Sequence, residues 1–173
     1  MELSTNQKGA IAEAQVMAEA VRLGFEVARP LVEGRRYDLV IDTGQRLWRV
    51  QCKWAPRRGD VLVVRSRTSR YTPNGYVRTT YTAAEIDAVA VYSPDTERCY
   101  LLPIAMLDGK GHTHLRLAPA RNNQSVGLLW AADYDFGAIA QLGERLTGSQ
   151  EVEGSSPSSS MNGSADPYGR FRP

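Results

Sequence analysis

Two rhythms of apolar residues run through the first 136 positions: a helical one near the start, then short alternating stretches separated by turn residues. Ile11, Ala14, Met17 and Val21 recur at helical spacing and predict a helix over about 6–23, with that stripe buried. Ser4 or Thr5 can cap its start, and Gly24 can end it. Glu13 borders the stripe one turn before Met17, where a carboxylate can point back into the domain.

Strands follow at 25–29, 37–42, 47–54, 61–65, 88–92 and 99–103, with one or two further short elements in 115–136 ending at Trp130–Tyr134. The stretch Leu47–Trp54 alternates cleanly. Trp48, Val50, Cys52 and Trp54 fall on one face, and Leu47, Arg49, Gln51 and Lys53 on the other. One helix followed by several antiparallel strands predicts an α/β (α+β) domain built on a mixed, mainly antiparallel sheet.

The turn Thr43-Gly44-Gln45-Arg46 joins two of these strands as a hairpin. If Asp42 pairs with Leu47, the register carries Asp38 opposite Gln51, with Cβ atoms roughly 4.5–5.5 Å apart. Lys53 lies on the same face. Glu13, Asp38, Gln51 and Lys53 then converge: two carboxylates, an amide oxygen and an ammonium. Such a set suits a divalent metal and a phosphodiester. Mg²⁺ takes hard oxygen ligands and keeps several waters, so one or two carboxylates plus a substrate phosphate suffice. Asp38, the backbone carbonyl of Cys52, Gln51 and Glu13 are the candidate ligands, and Lys53 can stabilise a pentavalent transition state or orient the attacking water. The residues also admit a plainer reading, in which Asp38 opposes Arg49 or Lys53 as a solvated cross-strand ion pair.

Asp38 followed by Gln51-Cys52-Lys53 resembles the signature of the PD-(D/E)-x-K nuclease superfamily, with Gln in place of the second acid and Arg36-Tyr37 in place of the frequent Pro. The helix segment Lys8-Gly9…Ala12-Glu13-Ala14, Tyr37–Val40, Val50–Lys53, Tyr81, the strand Asp87–Tyr92, Tyr100–Pro103, Asn122-Asn123-Gln124 and Trp130-Ala131 are similar to a branch that contains homing endonucleases encoded within group I introns. The likeness covers most of 8–136. It implies a restriction-endonuclease-like core, with the sheet flanked by helices. It also implies a Mg²⁺-dependent (or Mn²⁺-dependent), site-specific endonuclease acting on double-stranded DNA, with Asp38, Gln51, Lys53 and Glu13 as its catalytic set. The neutral Gln51 implies weaker metal affinity than the two-acid form. A structure-selective nuclease such as a junction resolvase, and a non-catalytic DNA-binding module on the same fold, are the alternatives. Cutting both strands takes two active sites, so a homo-oligomer, dimer or tetramer, is expected.

Charge sharpens this picture locally. The whole chain carries 21 basic and 19 acidic residues, for a net charge of +2. Between Arg35 and Arg78, however, eleven basic residues meet only Asp38, Asp42 and Asp60, a net of +8 over 44 positions. Arg57, Arg58, Arg65, Arg67, Arg70 and Arg78 are the candidate DNA contacts, on a segment with a Pro73-Asn74-Gly75 turn that predicts a projecting loop or β-ribbon.

Other signals exclude more than they add. No apolar run of about 18 residues predicts a membrane span, and the first residues lack a signal-peptide layout, so a cytoplasmic location and no membrane partner are expected. Cys52 and Cys99 make no disulfide framework, and Cys52 reads as a small core residue. His112-Thr113-His114 lacks a third ligand for zinc, and Gly109-Lys110-Gly111 lacks the P-loop frame. Residues 137–173 contain seven Ser, six Gly and three Pro. They read as a low-complexity tail, disordered from about 147. With suitably chosen codons, Ala138–Leu146 and Gly154–Pro157 back-translate to the D- and T-arms of a tRNA, which predicts a reading frame running through a tRNA gene, as beside a mobile element.

Overall fold

The computed structural model describes residues 2–138 except 33, 74, 108 and 120–126, and excludes the side chains of 69–71 and 138. The expectations for the tail and for Asn122-Asn123-Gln124 lie outside the described residues. Helix α1 spans Thr5–Arg22. Ser4 caps it reciprocally: its Oγ accepts the Gln7 N–H at 3.3 Å, and Gln7 Oε1 accepts the Ser4 N–H at 2.9 Å. Gly24, at φ +83°, turns the chain out of the helix. The buried seam is Ala12, Val16 and Ala20, which corrects the predicted stripe: Ala14 is exposed and Val21 is 59% exposed, while Ile11 and Met17 only flank the seam. Two alanines one helical turn either side of Val16 let the helix backbone approach the sheet, which larger side chains on the predicted stripe would hold away.

The strands are β1 (Glu26–Ala28), β2 (Leu39–Asp42), β3 (Leu47–Trp54), β4 (Arg57–Arg58), β5 (Val61–Arg65), β6 (Arg67–Thr72), β7 (Gly75–Thr80), β8 (Ala88–Ser93), β9 (Arg98–Pro103), β10 (His112–Arg116) and β11 (Leu129–Trp130). A five-stranded sheet runs β1-β2-β3-β8-β9, and a four-stranded sheet runs β11-β10-β5-β4. Strands β6 and β7 form a ribbon of their own. Pairing in the larger sheet is antiparallel except between β3 and β8. A parallel pair requires a long crossover, and residues 55–87 provide it while building β4, β5 and the ribbon on the way. The mixed, mainly antiparallel α/β architecture is therefore as expected. Among the described residues the sheet is flanked by a single α-helix, with 3-10 turns at Ile104–Met106, Ala131–Tyr134 and Phe136–Ala138.

The larger sheet is covered on one face by α1 and, over β8 and β9, is buried on the other face as well. Val16, Ala20, Leu39, Ile41, Trp48, Val50, Cys52, Ala88, Ala90, Cys99, Leu101 and Phe136 pack between it and α1. Its other face, with Val89, Val91, Tyr100 and Leu102, packs against Leu62 and Val64 of β5, Leu115 of β10, and Tyr81 and Ile86. This two-sided burial explains why β8 is a continuous apolar run while β3 alternates. Both cysteines are buried free thiols; burial pushes Cys52 up, and Cys99 up to about 12, which favours the thiol over the thiolate at both. No helix among the described residues is long and apolar enough to cross a membrane.

A carboxylate locks the hairpin in place. Asp87 Oδ2 accepts the Arg49 N–H at 2.8 Å and Arg49 Nε at 3.0 Å, and Oδ1 accepts from Arg46 at 2.7 Å. The Asp87 N–H in turn donates to the Arg49 carbonyl at 2.9 Å. These bonds, with those of Arg49 to the carbonyls of Ala83 and Ala84, fix β3 against the segment leading into β8.

Candidate active site

The predicted register is present: Asp42 pairs with Leu47, and the ladder runs to Leu39 opposite Val50. There it stops. Asp38 is not a further rung facing Gln51; its N–H donates to the Val50 carbonyl at 2.9 Å. Two successive residues thus address Val50, and the Cys52 N–H is left to be taken by the side chain of Asp38, at 2.7 Å from Oδ2. The Gln51 amide nitrogen donates to the same carboxylate oxygen and lies 3.3 Å from the Cys52 carbonyl. The end of the ladder therefore brings a carboxylate, a free-edge carbonyl and an amide to one point. Asp38 bonds to Cys52 and Gln51 instead of forming the solvated pair with Arg49, whose partner is Asp87. Burial raises the Asp38 pKa; the Cys52 N–H, the Lys53 charge and the Gln51 amide oppose that rise without cancelling it.

Lys53 follows on the same face. Burial pulls its pKa down, against the fields of Asp38 and, more weakly, Glu13. Its Nζ lies 5.5 Å from the centre of the Tyr81 ring. The Arg36 guanidinium lies 4.7 Å from the same ring centre and pairs with Glu85 at 2.9 Å. Tyr81 is 2% exposed, and its hydroxyl has no hydrogen-bond partner among the described residues. Glu13 also reaches this region. Burial and the charge of Asp38 raise its pKa, while Arg29 and Lys53 oppose. Its direct partner is Arg29, at 3.0 Å. Arg29 and Arg36 were not anticipated as site residues. Arg29 was legible only as the last residue of a short predicted strand; the pair Arg36-Tyr37 replaces the frequent proline before Asp38, and that departure was the available signal.

The donor set fits a divalent cation. Among the described residues no three His, Cys, Asp or Glu side chains converge. Asp38 Oδ2 and the Cys52 carbonyl nonetheless already share one electropositive group, the Gln51 amide N–H₂. A hard cation would take the same two oxygens, and rotating that amide by 180° would turn its oxygen toward such a cation as a third oxygen ligand. His112 and His114 stand on the exposed side of β10 with ring centres 5.4 Å apart, and no third ligand joins them among the described residues.

The basic stretch divides in two. Arg36 pairs with Glu85, and Arg46 and Arg49 share Asp87, both acids coming from outside the stretch. Arg57 lies 3.8 Å from Asp60 and donates to the Gly59 carbonyl at 2.7 Å. Arg58, Arg65, Arg67 and Arg78 are exposed, with no acidic partner among the described residues. The predicted ribbon is present as β6 and β7, with Arg67 opposite Thr80 and Arg70 opposite Val77. Thr68 and Thr79 form a rung whose hydroxyls both face Arg36, so strand alternation sets Arg67 and Arg78 on the other side. The side chain of Arg70 lies outside the described residues.

An acid just past the last rung of the β2–β3 hairpin, bonded through its side chain to the Gln-x-Lys strand beside it, lies within a larger match. The chain matches the PD-(D/E)XK endonuclease family over residues 3–137. It belongs to that family. It is also similar to a solved bacterial homing endonuclease, I-Ssp6803I, with 25% identity and a TM-score of 0.68, covering 87% of this chain and 100% of that one. No curated protein matches the chain. The restriction-endonuclease-like fold and a nuclease activity on DNA follow from the family and this likeness. Divalent metal ions are the usual cofactors of PD-(D/E)XK nucleases.

Proposed function

We propose that this PD-(D/E)XK nuclease is a metal-dependent, site-specific DNA endonuclease of the homing type. The observation that carries the reading is the Asp38 carboxylate holding the Cys52 N–H and the Gln51 amide at the end of the β2–β3 ladder, with Lys53 next on the same face. Asp38, the Cys52 carbonyl, Gln51 and Glu13 would hold Mg²⁺ or Mn²⁺. When bound, the ion neutralises charge on the scissile phosphate and lowers the pKa of a coordinated water. Lys53 carries a pKa lowered by burial. As an ammonium it offsets the negative charge that grows on the nonbridging oxygens, and its N–H groups orient the attacking water. Water adds to phosphorus in line, the bond to the 3′ oxygen breaks, and a 5′-phosphate is left. Arg57, Arg58, Arg65, Arg67, Arg70 and Arg78 hold the DNA backbone, with the ribbon lying in a groove. A dimer or tetramer supplies the second active site, and the protein works in the cytoplasm as part of a mobile element.

The test is to digest a plasmid library of the source genome, including the uninterrupted locus of this gene, with purified protein in Mg²⁺ or EDTA, and to sequence the ends. Cuts at one or a few sites, bearing 5′-phosphates and seen only with metal, support the proposal. Preference for four-way junctions over any sequence favours a resolvase. Binding without cutting favours a DNA-binding module.

A further inference from the structure

The ribbon β6–β7 belongs to neither sheet, yet it is tied to the catalytic hairpin by one side chain. Arg36 Nη1 donates to Thr68 Oγ1 at 3.2 Å and to Thr79 Oγ1 at 3.3 Å, touching both strands. Arg36 Nη2 donates to the Thr80 carbonyl at 2.9 Å and to Glu85 Oε2 at 3.3 Å. Glu85 is itself held by the N–H and hydroxyl of Thr82, at 3.1 and 3.2 Å. The guanidinium is therefore clamped from three directions while its central carbon lies over the Tyr81 ring.

Both ends of this clamp reach the chemistry. Arg36 is two residues before Asp38, so only Tyr37 lies between them to absorb a displacement. Tyr81 directly follows the last residue of β7, and its buried ring lies beneath both Arg36 and Lys53. A shift of the ribbon is therefore felt at Asp38 through the backbone and at Lys53 through the ring. Five N–H donors in a rigid fork suit this task; a lysine in place of Arg36 would keep the charge and lose the simultaneous contacts.

We propose that Arg36 is a positioning residue that couples seating of the β6–β7 ribbon on DNA to the placement of Asp38 and Lys53. This rests on the endonuclease reading above. Arg36 contacts no reacting atom in this account; it sets the geometry of residues that do.

The experiment is single-turnover cleavage at saturating DNA, with binding measured separately in Ca²⁺ or without metal. The variants are Arg36→Ala, Arg36→Lys and the double variant Thr68→Val/Thr79→Val. The double variant removes both ribbon hydroxyls that accept from Arg36 and leaves the catalytic hairpin untouched, so it reports even if Arg36→Ala does not fold. A displacement of about 1 Å at reacting groups costs roughly 100-fold. All three variants should therefore cut about 10- to 100-fold more slowly at saturation, with Kd changed less than about 3-fold and the salt dependence of binding unchanged, because Arg36 neutralises no phosphate. Wild-type cleavage rates in the folded variants would overturn the proposal. So would a defect that disappears at saturating DNA, since that is a binding role. Wild-type protein that never cuts removes the endonuclease reading and this inference with it; wild-type cutting with unaffected variants removes this inference alone.

Discussion

Restoring the second acid of the motif is the sharpest perturbation of the site. In Gln51→Glu the amide that donates to Asp38 becomes a carboxylate at a position 7% exposed. Two effects add. A hydrogen bond to a charged acceptor is lost, which costs about 1.5–3 kcal/mol. Two like charges about 4 Å apart, at an effective dielectric of about 20, repel by roughly 4 kcal/mol. The second figure is a ceiling, because one of the pair takes up a proton before the full repulsion develops. A loss of roughly 2–4 kcal/mol at neutral pH follows, or about 8–15 °C in Tm for a domain of this size. Added Mg²⁺ should reverse the loss, because a cation between two carboxylates converts the repulsion into two attractions, and a ligand that binds only the folded state stabilises it by mass action. Thermal denaturation at pH 7.5 with EDTA and with increasing Mg²⁺ reads both effects. The variant should melt below wild type in EDTA and gain more from Mg²⁺ than wild type does. A variant as stable as wild type in EDTA, or one indifferent to Mg²⁺, would refute the placement of Gln51 beside Asp38 at a metal site.

Asp87→Asn should destabilise by about 1–3 kcal/mol at neutral pH, because Arg49 and Arg46 lose their charged acceptor. Although burial pushes the Asp87 pKa up, its bonds to Arg49 bring it below the ordinary aspartate value; the stabilisation is therefore present above the unfolded pKa and lost as pH falls through the folded one, and denaturation curves of wild type and variant should converge in acid. Arg67→Ala and Arg78→Ala should each lower the slope of log K against log salt by about 1 in fluorescence binding, while leaving the unfolding free energy within about 0.5 kcal/mol of wild type; unchanged slopes would remove the ribbon from the DNA surface. Val16→Ala should cost roughly 1–3 kcal/mol and Val21→Ala less than about 0.5 in urea unfolding, since only Val16 lies on the buried seam of α1.

The hairpin was legible because a tight turn with Gly44 fixes its register, and a fixed register dictates which side chains meet. That register carries Asp38 to the neighbourhood of Gln51 and Lys53, but the ladder ends at Leu39, and Asp38 reaches Gln51 and Cys52 through its side chain, not as a further rung. The helix was legible in extent but not in facing: Ile11, Met17 and Val21 outrank Ala12 and Ala20 in hydrophobicity, yet close approach to a flat sheet selects small residues, a condition the helix sequence does not carry by itself. The parallel pairing of β3 with β8 was hidden for a similar reason, since no local pattern says that residues 55–87 form a crossover. Arg36, Arg46 and Arg49 look like free positive charge in sequence because their acids, Glu85 and Asp87, come from later in the chain. Glu13 was placed near the site by periodicity, but its bond to Arg29 joins α1 to the segment after β1, a tertiary contact that spacing does not reveal.

Asp38→Asn separates a catalytic carboxylate at the end of the β2–β3 ladder from a merely structural one. Its amide oxygen can still accept from the Cys52 N–H and the Gln51 amide, and the charge it removes is one that burial disfavours, so the variant should fold at least as stably as wild type and still bind DNA. On a plasmid carrying the target, wild type with Mg²⁺ should convert supercoiled DNA to discrete linear product, while Asp38→Asn with Mg²⁺ and wild type with EDTA should give none. Cleavage by the folded variant at a rate within about 10-fold of wild type, or wild-type cleavage that persists in EDTA, would contradict the account.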